Sequence, residues 1–112
     1  MTISTHVLDT AAGRPAASVA VRLDREENGG WRLVGQGTTN PDGRLTALAP
    51  SDVALPAGTY RLTFEIGAYF SARQIETFYR RAVVEFVARD VAAHYHVPLL
   101  VSPYGYTTYR GS

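Results

Sequence analysis

Cysteine is absent from the 112 residues, so disulfides, thiolate nucleophiles and cysteine-bound metals are excluded. Any metal would have to be held by His, Asp or Glu. Charge of one sign is not in excess either: 11 Lys and Arg residues stand against 10 Asp and Glu, interleaved along the chain, for a net +1. A nucleic-acid face needs basic residues gathered on one side, and this balance argues against one. No apolar run approaches the roughly 20 residues that cross a bilayer, so no membrane span is expected. Met1 to His6 offer neither a basic start nor an apolar stretch; a secretory leader is not expected, and a cytoplasmic home is. Internal repeats, low-complexity tracts and linkers are lacking. So are a nucleophile motif, a phosphate-cradling glycine loop and carboxylates paired at helical spacing.

What is present is an apolar fraction of 46%, ordinary for a folded protein, in a length that allows one hydrophobic core and one domain over 1–112. The dominant period is two. Val19, Val21 and Leu23 alternate with Ala20, Arg22 and Asp24, and Tyr60, Leu62, Phe64 and Ile66 alternate with Arg61, Thr63 and Glu65. Both patterns predict half-buried strands. Turn chemistry punctuates them at Gly13-Arg14-Pro15, Asn28-Gly29-Gly30, Pro41-Asp42-Gly43 and Pro56-Ala57-Gly58. Strands are expected near 4–10, 18–26, 31–38, 44–48, 58–66, 82–89, 94–102 and 106–110. Ala68 to Phe78 breaks the period, with no proline and no β-branched run, and predicts a short helix entered after Gly67. The sum is an all-β chain with one short helix, a β-sandwich.

The strand from 94 is unusual. One face carries Tyr95, Val97, Leu99 and Val101; the other carries His94, His96, Pro98 and Leu100. A face that is part ionisable and part apolar predicts a cover, and a second copy of the chain is the simplest one. An oligomer with a site at its interface is therefore expected. The three histidines, His6, His94 and His96, all fall on strands near the two ends, which a sandwich can set side by side. For His6 alone the plain reading is a half-exposed strand histidine satisfied by a neighbour. His94 and His96, at i and i+2, share one face of a strand. That spacing admits a three-histidine zinc site with an open position, or general acid–base chemistry. Arg44 follows a turn; it is either a solvated strand-start arginine or a rigid fork for a planar acceptor. Tyr104 to Ser112 packs tyrosines, glycines and Arg110 into a segment that predicts docking onto the body of the domain.

Three stretches resemble the signatures of the 5-hydroxyisourate hydrolases of the transthyretin-like family. They are Ser4-Thr5-His6-Val7-Leu8-Asp9-Thr10 with Gly13-Arg14-Pro15, then Thr39-Asn40-Pro41-Asp42-Gly43-Arg44, then His94-Tyr95-His96-Val97-Pro98-Leu99-Leu100 running on to Tyr109-Arg110-Gly111-Ser112. Gly67-Ala68-Tyr69-Phe70 and Glu76-Thr77-Phe78-Tyr79 are also similar to the family. Arg80-Arg81 depart from it where proline and an acidic residue are expected. The resemblance implies a transthyretin-type sandwich of two four-stranded sheets with one short helix, assembled as a homotetramer, a dimer of dimers with sites in a channel. It implies a cofactor-free enzyme that hydrolyses the small molecule 5-hydroxyisourate to 2-oxo-4-hydroxy-4-carboxy-5-ureidoimidazoline. It carries catalytic roles to His6, Arg44 and His96, and substrate contacts to His6, Arg44, Tyr109, Arg110, Gly111 and Ser112, with His94 in support and no metal. Two other readings stand beside it: a transthyretin-like carrier that binds a small hydrophobic ligand in the same channel without chemistry, and a zinc-dependent cyclic amide hydrolase built on His6, His94 and His96. The carrier is expected to lack the His/Arg set and the Tyr-Arg-Gly-Ser end.

Overall fold

Alternating apolar residues at period two can bury only one face of a strand, so each sheet here needs a second sheet to cover it. In the computed structural model, which describes residues 1–112, the strands divide accordingly. One sheet runs β2-β1-β8-β9, with β5 also paired to β1, and the other runs β4-β3-β6-β7. The strands are β1 (Thr2–Asp9), β2 (Arg14–Pro15), β3 (Ala20–Glu27), β4 (Gly30–Thr38), β5 (Arg44–Leu45), β6 (Gly58–Phe64), β7 (Ala82–Ala88), β8 (His94–Ser102) and β9 (Gly105–Thr108). Val7, Leu99 and Val101 of the first sheet meet Leu23, Tyr60, Leu62 and Phe64 of the second in a fully buried core. The β-sandwich expectation holds, with the first sheet carrying the two-residue β5 as a fifth member beside its path of four.

β1 and β8 run parallel, Thr2 opposite His94, Ser4 opposite His96 and His6 opposite Pro98. All other strand pairs are antiparallel. Asn28-Gly29, both with positive φ (52° and 77°), makes the two-residue turn from β3 to β4 that the right-handed strand twist favours.

Three expectations need correction. The strand expected over 44–48 ends at Leu45, because the chain then turns inward to bury Leu48 and Leu55 rather than extend the ladder. The strand expected over 106–110 is Gly105–Thr108, followed by a single bridge from Gly111 to His96. The helix is α1 (Ile66–Ser71), starting before Gly67 and stopping well short of Phe78. Its stop is local: Gln74 sits in the left-handed region (φ 60°). The Gln74 N–H donates to the Ser71 carbonyl at 3.0 Å and the Ile75 N–H to the Phe70 carbonyl at 3.0 Å. That pair of bonds closes a helix end, a role usually given to glycine.

α1 packs Ile66, Tyr69 and Phe70 inward. The Tyr69 hydroxyl donates to Asp9 Oδ2 at 2.8 Å, and Asp9 Oδ1 accepts the Ala11 and Ala12 N–H groups at 3.0 and 2.9 Å. This buried carboxylate ties the helix to the end of β1. Burial, and then the bond to Asp9, push the Tyr69 phenol above its usual range. Among the unexpected arginines, Arg81 pairs with Glu65 at 2.6 Å, and the Arg80 carbonyl accepts the Gly67 N–H at 2.9 Å.

Candidate active site

β1 lies between β5 and β8, and this sets the site. Ile3, Thr5 and Val7 face the core, so Thr2, Ser4 and His6 face outward. On β8, Tyr95 and Val97 face the core, so His94 and His96 face outward beside them. His6 is also directly opposite Arg44 on β5. His6, Arg44, His94 and His96 therefore share one outer sheet face.

The turn before β5 does two jobs. Asn40 Oδ1 accepts the N–H groups of both Asp42 and Arg44 at 2.9 Å, and the Gly43 N–H donates to the Asn40 carbonyl at 2.8 Å. Gly43 takes a φ of 75° to make the bend, and its carbonyl accepts the Val7 N–H at 2.8 Å. The turn thus presents Arg44, and its Asp42 carbonyl meets His6 Nε2 at 2.9 Å. A carbonyl only accepts, so His6 Nε2 carries a proton and Nδ1 is the nitrogen left for chemistry. Arg44 is exposed and takes part in none of the ion pairs, leaving its guanidinium uncommitted.

His96 is half-buried, with Nδ1 at 2.8 Å from Ser4 Oγ. Burial first, then the positive charge of Arg44, then His94 and His6, hold its imidazole below the usual range, so it stays neutral at neutral pH. His94 is more exposed and lies parallel to His96, ring centroids 6.4 Å apart and planes within 16°. Its Nε2 is 3.0 Å from the same Ser4 Oγ, and its Nδ1 bonds Thr2 Oγ1. No group of three or more His, Asp or Glu side chains converges as metal ligands would.

The tail separates by residue. The Gly111 N–H donates to the His96 carbonyl at 2.8 Å, which brings Gly111 to the site. Tyr109 and Ser112 are exposed. Arg110 faces the other way: its guanidinium lies 4.9 Å from the centre of the Tyr95 ring, over a residue of the core face. None of the principal clefts of the single chain includes His6, Arg44 or His96. On one protomer the site is an open surface.

Thr2, Ser4 and Asn40 support the site without a sequence motif of their own. The first two were detectable: the alternation that turns His6 outward turns Ser4 and Thr2 outward with it, toward a neighbouring His-Tyr-His strand.

The fold and the site together define a two-sheet β-sandwich with imidazoles and a free guanidinium gathered on one outer face. The chain belongs to the HIUase/Transthyretin family, whose model matches residues 3–111. A 5-hydroxyisourate hydrolase of Salmonella typhimurium is 46% identical over 110 residues, 98% of this chain and 80% of the relative. The structure of Klebsiella pneumoniae 5-hydroxyisourate hydrolase superposes with a TM-score of 0.87 at 41% identity, covering 100% of both chains. Sea bream transthyretin, crystallised with thyroxine, reaches a TM-score of 0.91 at 33% identity, covering 97% of this chain and 93% of its own. Shape alone therefore does not separate the hydrolase from the thyroxine-binding protein.

Proposed function

We propose that this chain hydrolyses 5-hydroxyisourate, opening its ring to give 2-oxo-4-hydroxy-4-carboxy-5-ureidoimidazoline in urate degradation. The observation that carries the reading is the meeting of His6, Arg44 and a neutral His96 on one outer sheet face. Cyclic amide hydrolysis needs a base for water, donors for the developing oxyanion and a fixed ring. His96, kept neutral by burial and by Arg44, is the base: its Nδ1 is engaged by Ser4 and its Nε2 takes the proton. Arg44 offers a two-point fork to ring oxygens and stabilises the negative charge. His6, held by the Asp42 carbonyl, binds and orients the ring.

Gly111, bridged to the His96 backbone, carries Ser112 to the edge of the pocket, Arg110 anchors that segment on Tyr95, and Tyr109 is offered to the substrate from the same tail. Residues 1–112 act as one hydrolase domain without a cofactor. The open character of the face supports a homotetramer in which a second copy closes the pocket; an active monomer in sedimentation would overturn that. The cysteine-free composition agrees with a cytoplasmic location.

Against a carrier of an apolar ligand stands the charge on this face: a carrier gains nothing from burying an uncommitted guanidinium. The experiment is to generate 5-hydroxyisourate in situ from urate and follow its ultraviolet decay. Decay accelerated in proportion to added protein is expected; an unchanged spontaneous rate would overturn the assignment.

A further inference from the structure

Ser4 is 3% exposed, yet its hydroxyl faces two imidazoles, His96 Nδ1 at 2.8 Å and His94 Nε2 at 3.0 Å. It has no third polar partner. A buried hydroxyl carries one proton and does not leave it unpaired, so it donates to one ring and accepts from the other. The row Thr2, His94, Ser4, His96 is therefore a directed chain, and its direction fixes which nitrogen of each ring is protonated.

The surroundings of His96 decide the direction. Arg44, on the same face, has N–H groups and no acceptor, and its charge acts on the His96 ring. A lone pair on the outward Nε2 is favoured beside such a group, and an N–H there is not. With Nε2 unprotonated, Nδ1–H donates to Ser4, Ser4 donates to His94 Nε2, and His94 Nδ1–H donates to Thr2 Oγ1. Both nitrogens of His94, the Ser4 hydroxyl and His96 Nδ1 are then used, and His96 Nε2 alone of the row's ring nitrogens is left free.

We propose that Ser4 and His94 are positioning residues that hold His96 with its proton on Nδ1 and a lone pair on Nε2. When Nε2 takes a proton, the Nδ1–H of the resulting imidazolium already has its acceptor in Ser4, so charging the ring requires no rearrangement. The catalytic consequence rests on the hydrolase reading above; the tautomer does not.

The test is long-range proton–nitrogen correlation of the histidine rings in the full-length protein, with Ser4→Ala and Ser4→Thr beside it. The parent is expected to show His96 protonated at Nδ1 alone above its titration, Ser4→Ala to shift toward the Nε2–H form, and Ser4→Thr, which keeps the hydroxyl, to restore the parent pattern. Thermal melts check that each variant folds. With 5-hydroxyisourate, Ser4→Ala should lower kcat about tenfold, part of the roughly 10²–10⁴ a positioned base supplies, with little change in KM. An Nε2–H parent, or a Ser4→Ala protein with the parent tautomer, would overturn the proposal. A shifted tautomer with unchanged kcat would overturn its catalytic consequence. A parent inactive toward 5-hydroxyisourate would defeat the hydrolase reading while the spectra still decide the tautomer.

Discussion

Gly111 lies so close to His96 that a β-carbon on it would come within 2.6 Å of the ring Cδ2 and 3.3 Å of Cγ. The same residue donates its N–H to the His96 carbonyl at 2.8 Å. One glycine thus seats both the backbone and the ring of the proposed base, and only a residue without a side chain fits. Gly111→Ala should push the ring aside and lower kcat/KM by up to about 10²-fold, the cost of misplacing a group by an ångström. The atoms displaced are chiefly those of a side chain at the surface, so the melting temperature should move little. Parent-like turnover in the alanine variant would show that the ring has room to spare.

His6→Ala, Arg44→Ala and His96→Ala should each cut kcat/KM by about 10²–10⁴ and leave the far-ultraviolet spectrum intact, because all three sit outside the core. Decay assays on the three proteins read this directly. Three variants with the parent rate would dissolve the assignment of this face as the active site.

The lowered pKa of His96 has a definite sign. Its causes are burial first, then Arg44, His94 and His6, so the ring remains a free base somewhat below the ordinary imidazole value of about 6.5. The acid limb of kcat/KM should fall below that value. Arg44→Gln removes a positive neighbour, and the His96 titration followed by NMR should then move upward. The linked stability follows suit: the folded state takes up this proton less readily than the unfolded chain. Its contribution is complete above about 6.5 and is lost as pH falls through the lowered folded value. A His96 titration unmoved in Arg44→Gln would refute the electrostatic link between the two.

Gly43→Ala should act on stability before activity. At φ 75° an alanine is strained, and its β-carbon would meet the Val7 carbonyl oxygen at 2.4 Å. Unlike the His96 ring, that oxygen belongs to the core strand β1 and has nowhere to go. A loss of about 2 kcal/mol or more in denaturant unfolding is expected. Unfolding identical to the parent would mean that the turn can be rebuilt without its left-handed residue.

The purified protein should carry no stoichiometric metal and keep its activity after chelation. The three histidines are spent on Ser4, Thr2 and the Asp42 carbonyl rather than on one shared centre. Zinc near one per chain, with activity lost to a chelator and restored by metal, would reinstate the three-histidine site.

Much of this was legible because strand periodicity is rigid. Alternation from Tyr95 and from Tyr60 fixed which residues turn inward, and the Asn28-Gly29 and Pro41-Asp42-Gly43 turns announced themselves by composition. The helix boundary was not legible, because the chain stops α1 with Gln74 in a conformation that usually belongs to glycine. The early end of β5 was hidden for another reason: Leu48 reads as a strand residue and is buried, but in the core rather than in a ladder. The direction of Arg110 was invisible because it depends on how the tail docks, through a single bridge of Gly111 to His96, beside Tyr95. Ser4 was passed over since a serine signals nothing until its neighbours across the strand are known.

The parallel pairing of β1 with β8 also governs when the site can exist. Ser4 and His96 are 92 positions apart in the chain, and β1 has no partner on that side until β8 has been made. At ordinary rates of synthesis that wait is on the order of ten seconds. During it the proposed base and the hydroxyl that orients it have not met. A nascent or prematurely stopped chain would hold His6 and Arg44 but no His96, and so would be inert. Long-range closure of this kind slows folding, and here the delayed pairing is also the one that brings the proposed base to its hydroxyl.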